Sequence, residues 1–156
     1  MGARNFEGSI LEKLIYKSEK NAISSRNFAV SSGNWKVIEV NEDNKAFKVI
    51  DNMLYSIDEK KLVKVPSGVE GEFSVKSGVT ELGGAAVAFC KKISKVIIDN
   101  DVKTIGTDAF SDDTGIEEVI IGKNVESLGS SAFIRCSNIK KIKIEDGLNS
   151  MKAKRP

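Results

Sequence analysis

Apolar residues recur in fixed columns every 23 residues across the second half of the chain. The pair Leu82-Gly83 returns as Ile105-Gly106 and again as Leu128-Gly129. A fixed period of this length with apolar columns is typical of a solenoid, in which each repeat buries the apolar face of its neighbour. One repeat is called a rung below. The other aligned columns are Val79, Val102 and Val125; Ala86, Ala109 and Ala132; Ile93, Ile116 and Ile139; Val96, Val119 and Ile142; and Ile98, Ile121 and Ile144.

Each rung contains one segment with the spacing of a β-strand. Residues 93–98 are apolar at the first, fourth and sixth positions, and the last two of these lie on one face of an extended chain. Residues 116–121 and 139–144 repeat the pattern, so equivalent strands are predicted side by side and parallel. Gly106 and Gly129 are predicted at bends, and the alanine and phenylalanine that follow them are predicted to fill the space behind the sheet.

The first 40 residues carry a degenerate form of the same repeat. Arg4-Asn5-Phe6 returns 22 residues later as Arg26-Asn27-Phe28, and residues 11–16 and 35–40 have the strand spacing. The alternative for residues 7–20 is a short amphipathic helix that begins with a capping box.

An antiparallel meander interrupts the array between the two repeat regions. Residues 47–65 divide into three short strands with turns at Asp51-Asn52 and at residues 58–60, and Pro66 closes them because proline cannot donate to a ladder. Four regions of a single domain are therefore predicted. They are degenerate repeats at 1–40, the inserted meander and its return loop at 41–72, regular repeats at 73–150 and a disordered basic tail at 151–156.

These repeats resemble the BspA-like leucine-rich repeat proteins of bacterial and some protist cell surfaces. The resemblance implies a leucine-rich-repeat-like, right-handed solenoid, either α/β or β-rich, with a parallel sheet. It also implies a location at the cell surface or outside the cell. The matching segments are Ile105-Gly106-x-x-Ala109-Phe110, Gly129-x-x-Ala132-Phe133-x-x-Cys136 and Ile139-x-x-Ile142-x-Ile144, with residues 52–56 and 62–66 similar to the hairpin that interrupts the repeats of that family.

Composition argues against several functions. The net charge is only +2, with lysines interleaved among acids, so no nucleic-acid partner is expected. No apolar run approaches the roughly 20 residues of a membrane-spanning helix, so no membrane insertion is expected. The chain has no histidine, which removes the commonest catalytic base and metal ligand. We therefore expect no enzyme activity, no catalytic residues, no cofactor and no metal.

The two cysteines are predicted to be free and buried. Cys90 and Cys136 lie two periods apart in one column, with Asp113 between them. Parallel strands are about 4.8 Å apart, so two rungs place the cysteines about 10 Å apart, beyond the roughly 7 Å reach of a disulfide. Asp112 and Asp113 are predicted to be solvated turn residues.

The solvent side of the parallel sheet is the candidate partner-binding face. Its alternating charges indicate solubility and strand register, each pair stabilising the sheet by a few tenths of a kcal/mol. Its isoleucines are either bound by a partner or covered by another part of the chain. The candidate residues, called the outer face below, are Lys95, Ile97, Glu118, Ile120, Lys141 and Lys143.

The leading functional prediction is a surface-displayed or secreted, protein-binding (adhesin-like) module that is part of a larger protein. Its partner would be a host or cell-surface protein or glycan. A structural spacer and an accessory domain of a secreted enzyme are the alternatives. Because the chain begins and ends within repeats, its terminal strands are also predicted to self-associate weakly end to end, more strongly as salt screens the repulsion between lysines.

Overall fold

The computed structural model describes residues 13–16, 36–40, 44–146 and 152–153, and every regular element in this part of the chain is a β-strand. The sequence left α/β and β-rich solenoids open, and the described residues form the β-rich one. The strands are β1 (Lys13–Tyr16), β2 (Val37–Val40), β3 (Phe47–Ile50), β4 (Met53–Ser56), β5 (Lys61–Lys64), β6 (Glu70–Ser74), β7 (Glu81–Leu82), β8 (Lys92–Ile98), β9 (Thr104–Ile105), β10 (Glu118–Ile121), β11 (Ser127–Leu128), β12 (Lys141–Ile144) and β13 (Lys152–Ala153).

The predicted parallel sheet is present and has the strand order β12-β10-β8-β6. Val119 of β10 lies opposite Val96 on one side and Ile142 on the other, so neighbouring strands keep the 23-residue step. Phe73 of β6 also lies opposite Val96. The array therefore resumes after the meander in the predicted register.

A second sheet, which the apolar pattern does not predict, has the order β13-β11-β9-β7-β5-β4-β3. Its parallel part consists of two-residue strands that place Leu82, Ile105 and Leu128 side by side. The meander of β3, β4 and β5 is antiparallel, as predicted, and β5 then pairs in parallel with β7. The meander is thus a continuation of the second sheet.

The glycines that follow the two-residue strands are required for close stacking of the backbone. Gly106 and Gly129 lie directly before turns, where bends were predicted. Neither has a left-handed φ value, so the turn itself does not require glycine. A Cβ atom on Gly129 would lie 2.4 Å from the nitrogen of Thr107, and one on Gly106 would lie 2.6 Å from the nitrogen of Gly84. Such distances are steric overlaps, so only glycine lets adjacent rungs approach this closely.

Backbone hydrogen bonds also join the turns that lie between the two sheets along the chain. The Val87 amide donates to the Ala109 carbonyl at 2.8 Å, and the Phe110 amide donates to the Ala132 carbonyl at 2.8 Å. Val87 therefore occupies the column of Phe110. Two further columns of these turns have left-handed φ values between 52° and 69°, namely Ala85, Asp108 and Ser131, and Phe89, Asp112 and Arg135.

In the part of the chain that the structure describes, the interior consists of two apolar clusters. The larger one contains the predicted columns of the middle rungs, which are fully buried. Within it the ring of Phe110 stacks on that of Phe133, with 4.9 Å between centroids. The smaller cluster joins β2 to the meander and consists of Ile38, Phe47, Leu54 and Val63.

The described residues of the first region form a parallel pair of strands. Leu14 of β1 lies opposite Ile38 of β2, and Tyr16 lies opposite Val40, which is the register of the degenerate repeat. Residues 13–16 therefore form a strand. The other residues of the segment 7–20, for which a helix was the alternative, lie outside the described residues. Within the predicted tail, β13 pairs with β11, and the other tail residues lie outside the described part.

Candidate partner-binding face and a buried ionisable cluster

The outer face lies on the solvent side of the four-stranded sheet. Ile97 and Ile120 are partly exposed and alternate with fully buried residues along β8 and β10. Lys95, Glu118 and Lys141 lie side by side on three neighbouring strands. The structure therefore brings the predicted residues together on one surface, and the described residues do not bury its isoleucines completely.

Cross-strand ion pairs connect the charged column of the outer face. Lys95 Nζ lies 2.8 Å from Glu72 Oε2, and Lys141 Nζ lies 2.7 Å from Glu118 Oε1. The hydrogen bond from Lys95 to Glu72 raises the pKa of Lys95. The hydrogen bond from Lys141 lowers the pKa of Glu118. Exposed pairs of this kind contribute little stability, so their main effect is on register and on the charge pattern at the surface.

Two further cross-strand ion pairs lie outside this column. Lys92 Nζ lies 3.3 Å from Glu70 Oε2, and Lys140 Nζ lies 3.1 Å from Glu117 Oε1. Each strand, taken with the residue just before it, thus presents charges of one sign. The sign alternates across the sheet from acidic β6 to basic β8, acidic β10 and basic β12.

A different polar feature lies inside the molecule, where Lys64, Cys90 and Asp113 are fully buried. Lys64 Nζ donates to the carbonyl oxygens of Ala85 at 2.7 Å and Ala88 at 3.2 Å. Asp113 Oδ1 accepts a hydrogen bond from the Cys90 amide at 2.6 Å, whereas its Oδ2 has no hydrogen-bond partner. These three residues, the buried cluster, connect the end of the meander to the first two regular rungs.

Burial shifts all three groups of the buried cluster toward their neutral forms. Desolvation raises the pKa of Asp113 to about 8 and that of Cys90 to about 12. Desolvation also lowers the pKa of Lys64, although the nearby Cys90 and Asp113 oppose this shift. A charge removed from water is costly unless it is closely paired. Because none of the three side chains reaches solvent, the cluster is a structural feature.

The carboxylates and cysteines of the described residues do not form a metal site. No group of three His, Cys, Asp or Glu side chains in this part of the chain is placed to hold a metal ion. The same residues include no helix with the length and hydrophobicity of a membrane span. The absence of enzyme activity and of cofactors stays a prediction.

The repeat pattern and its register match a known family. The family model described as BspA type leucine rich repeat region (6 copies) matches residues 67–154. The chain belongs to the BspA-type leucine-rich repeat family. This result confirms the resemblance found in the sequence motifs. No curated protein matches the sequence.

Solved structures with the fold of this BspA-type chain include three bacterial proteins. A leucine-rich repeat protein from Eubacterium ventriosum has a TM-score of 0.76 and 24% identity over 93% of this chain and 38% of its own. The pneumococcal vaccine antigen PcpA has a TM-score of 0.67 and 24% identity over 91% of this chain and 38% of its own. A leucine-rich cell surface protein from Faecalibacterium prausnitzii has a TM-score of 0.56 and 19% identity over 90% of this chain and 49% of its own. The chain therefore spans less than half the length of each.

Two expectations about the cysteine column of this BspA-type array need correction. Asp113 is fully buried instead of solvated, because its column lies in the core. Cys136 is only partly buried, because no further described rung packs on its own. Both cysteines are free, and Asp113 lies in the rung between them. The burial of Asp113 could have been predicted, because Asp113 shares its column with Cys90. The burial of Lys64 could not, because the meander has no aligned column for comparison.

Proposed function

We propose that the chain is a protein-binding, adhesin-like leucine-rich repeat module that acts at the cell surface or after secretion, as part of a larger protein. The outer face would contact a host or cell-surface protein or glycan. The observation that carries this proposal is the pair Ile97 and Ile120, which are partly exposed on adjacent strands beside a charged column. The proposal includes no catalysis, no cofactor and no nucleic-acid partner.

The energetics of the outer face favour a partner that covers the two isoleucines. Burying apolar surface there contributes about 25 cal/mol for each Å² removed from water. The neighbouring Lys95, Glu118 and Lys141 already interact with opposite charges on adjacent strands. A partner would therefore meet a small apolar area bordered by polar groups, which is the usual arrangement of a protein interface.

Two of the structures with the same fold support the proposed location. One is described as a cell surface protein and another as a vaccine antigen. Those descriptions belong to longer proteins, of which this chain would correspond to one part. On this proposal the rungs form a rigid support, and the outer face provides the contacts.

A binding panel with matched variants tests the proposal. The chain would be assayed against immobilised host matrix proteins, mucins and glycans. Replacing Ile97 and Ile120 with threonine keeps a β-branched side chain on each strand and reduces the apolar surface of the outer face. Ile57→Thr is the control, because Ile57 is exposed on the meander, away from the outer face.

Binding that is lost in the double variant and retained in Ile57→Thr, with both variants unfolding like the native chain, is the expected result. No binding above background across the panel would favour the structural spacer. Binding that survives in the double variant would move the contact to another surface.

A further inference from the structure

The parallel ladder of the array is interrupted at the meander. In the part of the chain that the structure describes, β1 and β2 form a sheet of their own, separate from the sheet of order β12-β10-β8-β6. The interruption lies within the chain, because β2 ends at Val40 and β6 begins at Glu70. The described repeats before and after the meander therefore share no continuous ladder of backbone hydrogen bonds.

The meander is buried on both of its faces. Leu54 of β4 and Val63 of β5 pack with Ile38 of β2 in the smaller apolar cluster. Their neighbours in sequence, Tyr55 and Leu62, belong to the larger cluster of the regular rungs. Successive side chains of a strand lie on opposite faces. The meander is therefore a layer between β2 and the regular array.

The turn between β3 and β4 contacts β2 through one side-chain amide. Asn52 Oδ1 accepts a hydrogen bond from the Ile38 amide at 2.9 Å, and Asn52 Nδ2 donates to the carbonyl oxygen of Lys36. A residue of a parallel strand opposite Val37 would accept from the same amide and donate to the same carbonyl. The Asn52 side chain thus occupies the place of a neighbouring strand.

The local backbone explains how a turn residue can make these two bonds. Asp51 and Asn52 have left-handed φ values of 48° and 60°, which is the conformation of a tight two-residue hairpin turn. Asparagine tolerates this conformation better than most residues. The residue at this position therefore combines two properties, a backbone that suits the turn and an amide that bonds β2.

We propose that the meander is a joint between the repeats that precede it and those that follow it, with Asn52 as the latch. When the latch opens, β2 separates from the meander as a unit, while the meander stays on the regular array. Local opening occurs where few apolar contacts are lost. The smaller cluster has only four buried residues, whereas the larger one continues through the middle rungs. No residue of the outer face takes part, so the proposal goes beyond the function proposed above.

The variant Asn52→Gly separates a latch from a residue that serves only the turn. Asp-Gly is a favoured sequence for a two-residue hairpin with left-handed φ values, so the turn is preserved. Glycine has no amide with which to bond β2. Asn124→Ala is the matched control, because the Nδ2 atom of Asn124 donates to the carbonyl oxygen of Asn100 at 2.8 Å between two regular rungs.

A thiol placed in the smaller cluster reports opening of the joint. Val63→Cys puts a side chain of similar size at a buried position that packs with β2. The native Cys90, which is fully buried in the larger cluster, is the reference within the same molecule. The alkylation rates of both thiols are measured by mass spectrometry of peptides, with and without Asn52→Gly. Hydrogen exchange of individual amides is followed by NMR in the same variants.

Asn52→Gly is expected to raise the alkylation rate of the thiol introduced by Val63→Cys on the order of tenfold, because two hydrogen bonds are lost. The rate at Cys90 should not change. Amides along the whole of β2 should exchange faster, and those of β3 and β4 should keep their protection. Asn124→Ala should leave the alkylation rates of both thiols and the exchange of β2 as they are.

Three results would overturn the proposal. An equal rise at both thiols would mean that the whole array opens together. Loss of protection in β3 and β4 would mean that Asn52 acts through the turn. Faster exchange at Ile38 alone, with no change in alkylation, would mean that the amide has merely lost its acceptor and that β2 does not open as a unit.

Discussion

Among the described side chains, Asp113 alone keeps a buried oxygen atom, Oδ2, without a hydrogen-bond partner. An unpartnered buried polar group typically costs about 1–3 kcal/mol. The protein reduces the cost by keeping the carboxyl protonated, since burial raises its pKa to about 8. Lys64 in the same interior is held by carbonyl oxygens. The hydrogen bonds of the buried cluster therefore hold the meander against the regular rungs. The oxygen without a partner lowers the free energy of unfolding.

Replacing Asp113 with asparagine is expected to stabilise the protein at alkaline pH. The folded-state pKa of Asp113, about 8, lies above the ordinary aspartate value. Its contribution to stability is therefore fully present below that ordinary value and is lost as the pH rises through about 8. Asparagine does not titrate and still offers an acceptor to the Cys90 amide. In urea unfolding experiments, the free energy of unfolding of the variant relative to that of the native chain should rise by on the order of 2 kcal/mol between about pH 4 and pH 9.

Asp112→Asn is the matched control, because the pKa of Asp112 shifts in the opposite direction to the pKa of Asp113. The ion pair with Arg135 lowers the pKa of Asp112, so Asp112 stabilises the fold above its ordinary pKa and loses this effect as the pH falls. This variant should lose up to about 1 kcal/mol at neutral pH and match the native chain in acid. If both variants changed the pH profile in the same direction, Asp113 would not be the buried, protonated group described here.

At the scale of elements, the sequence predicts the existence and register of the long strands and misses the short ones. Strands β8 and β10 bury alternate residues, and the same apolar spacing recurs in the sequence of β12, which gives these rungs a shared periodic signal. The two-residue strands at Leu82, Ile105 and Leu128 are too short to alternate, and only their glycine neighbours mark them. The outer face was predictable because it lies on the long strands. The buried cluster was not, because its lysine lies in the aperiodic meander.

Gly115→Ala is expected to destabilise the stacking of two rungs severely. A Cβ atom at this position would lie 2.2 Å from the carbonyl oxygen of Lys91 and 2.7 Å from that of Ile93. Both atoms belong to the backbone of the preceding rung, which cannot move without disturbing β8, so we expect a loss of about 2 kcal/mol or more. Gly83→Ala is the control, since its nearest atom would be 3.1 Å away and the flexible Lys61 side chain forms part of the contact. Equal shifts of the urea midpoint would show that backbone contact between rungs does not limit stability.

At the scale of the whole molecule, stability depends on contacts between neighbouring rungs. In such an array the interior rungs have two neighbours and the outer ones have one, so stability declines toward the ends. The described rungs follow this rule, because the apolar column is 0% exposed at Val96 and Val119 and 56% exposed at Ile142. The sequence gives the identity of this column but not its exposure, since that depends on how many neighbours each rung has.

Protection of backbone amides against hydrogen exchange is therefore expected to differ between the interior rungs and the last described rung. Amides of β8 and β10 should exchange only through global unfolding, whereas those of β12 should exchange through local opening of the last described rung. Val119→Ala creates a cavity between two neighbours and should lower protection throughout the array by about 2 kcal/mol. Ile142→Ala removes a half-exposed side chain and should lower protection in β12 alone. Native-state hydrogen exchange measured by mass spectrometry distinguishes the two patterns. Uniform protection from β6 to β12 in the native chain would mean that the rungs unfold as one unit. Loss of protection in β10 on Ile142→Ala would mean the same.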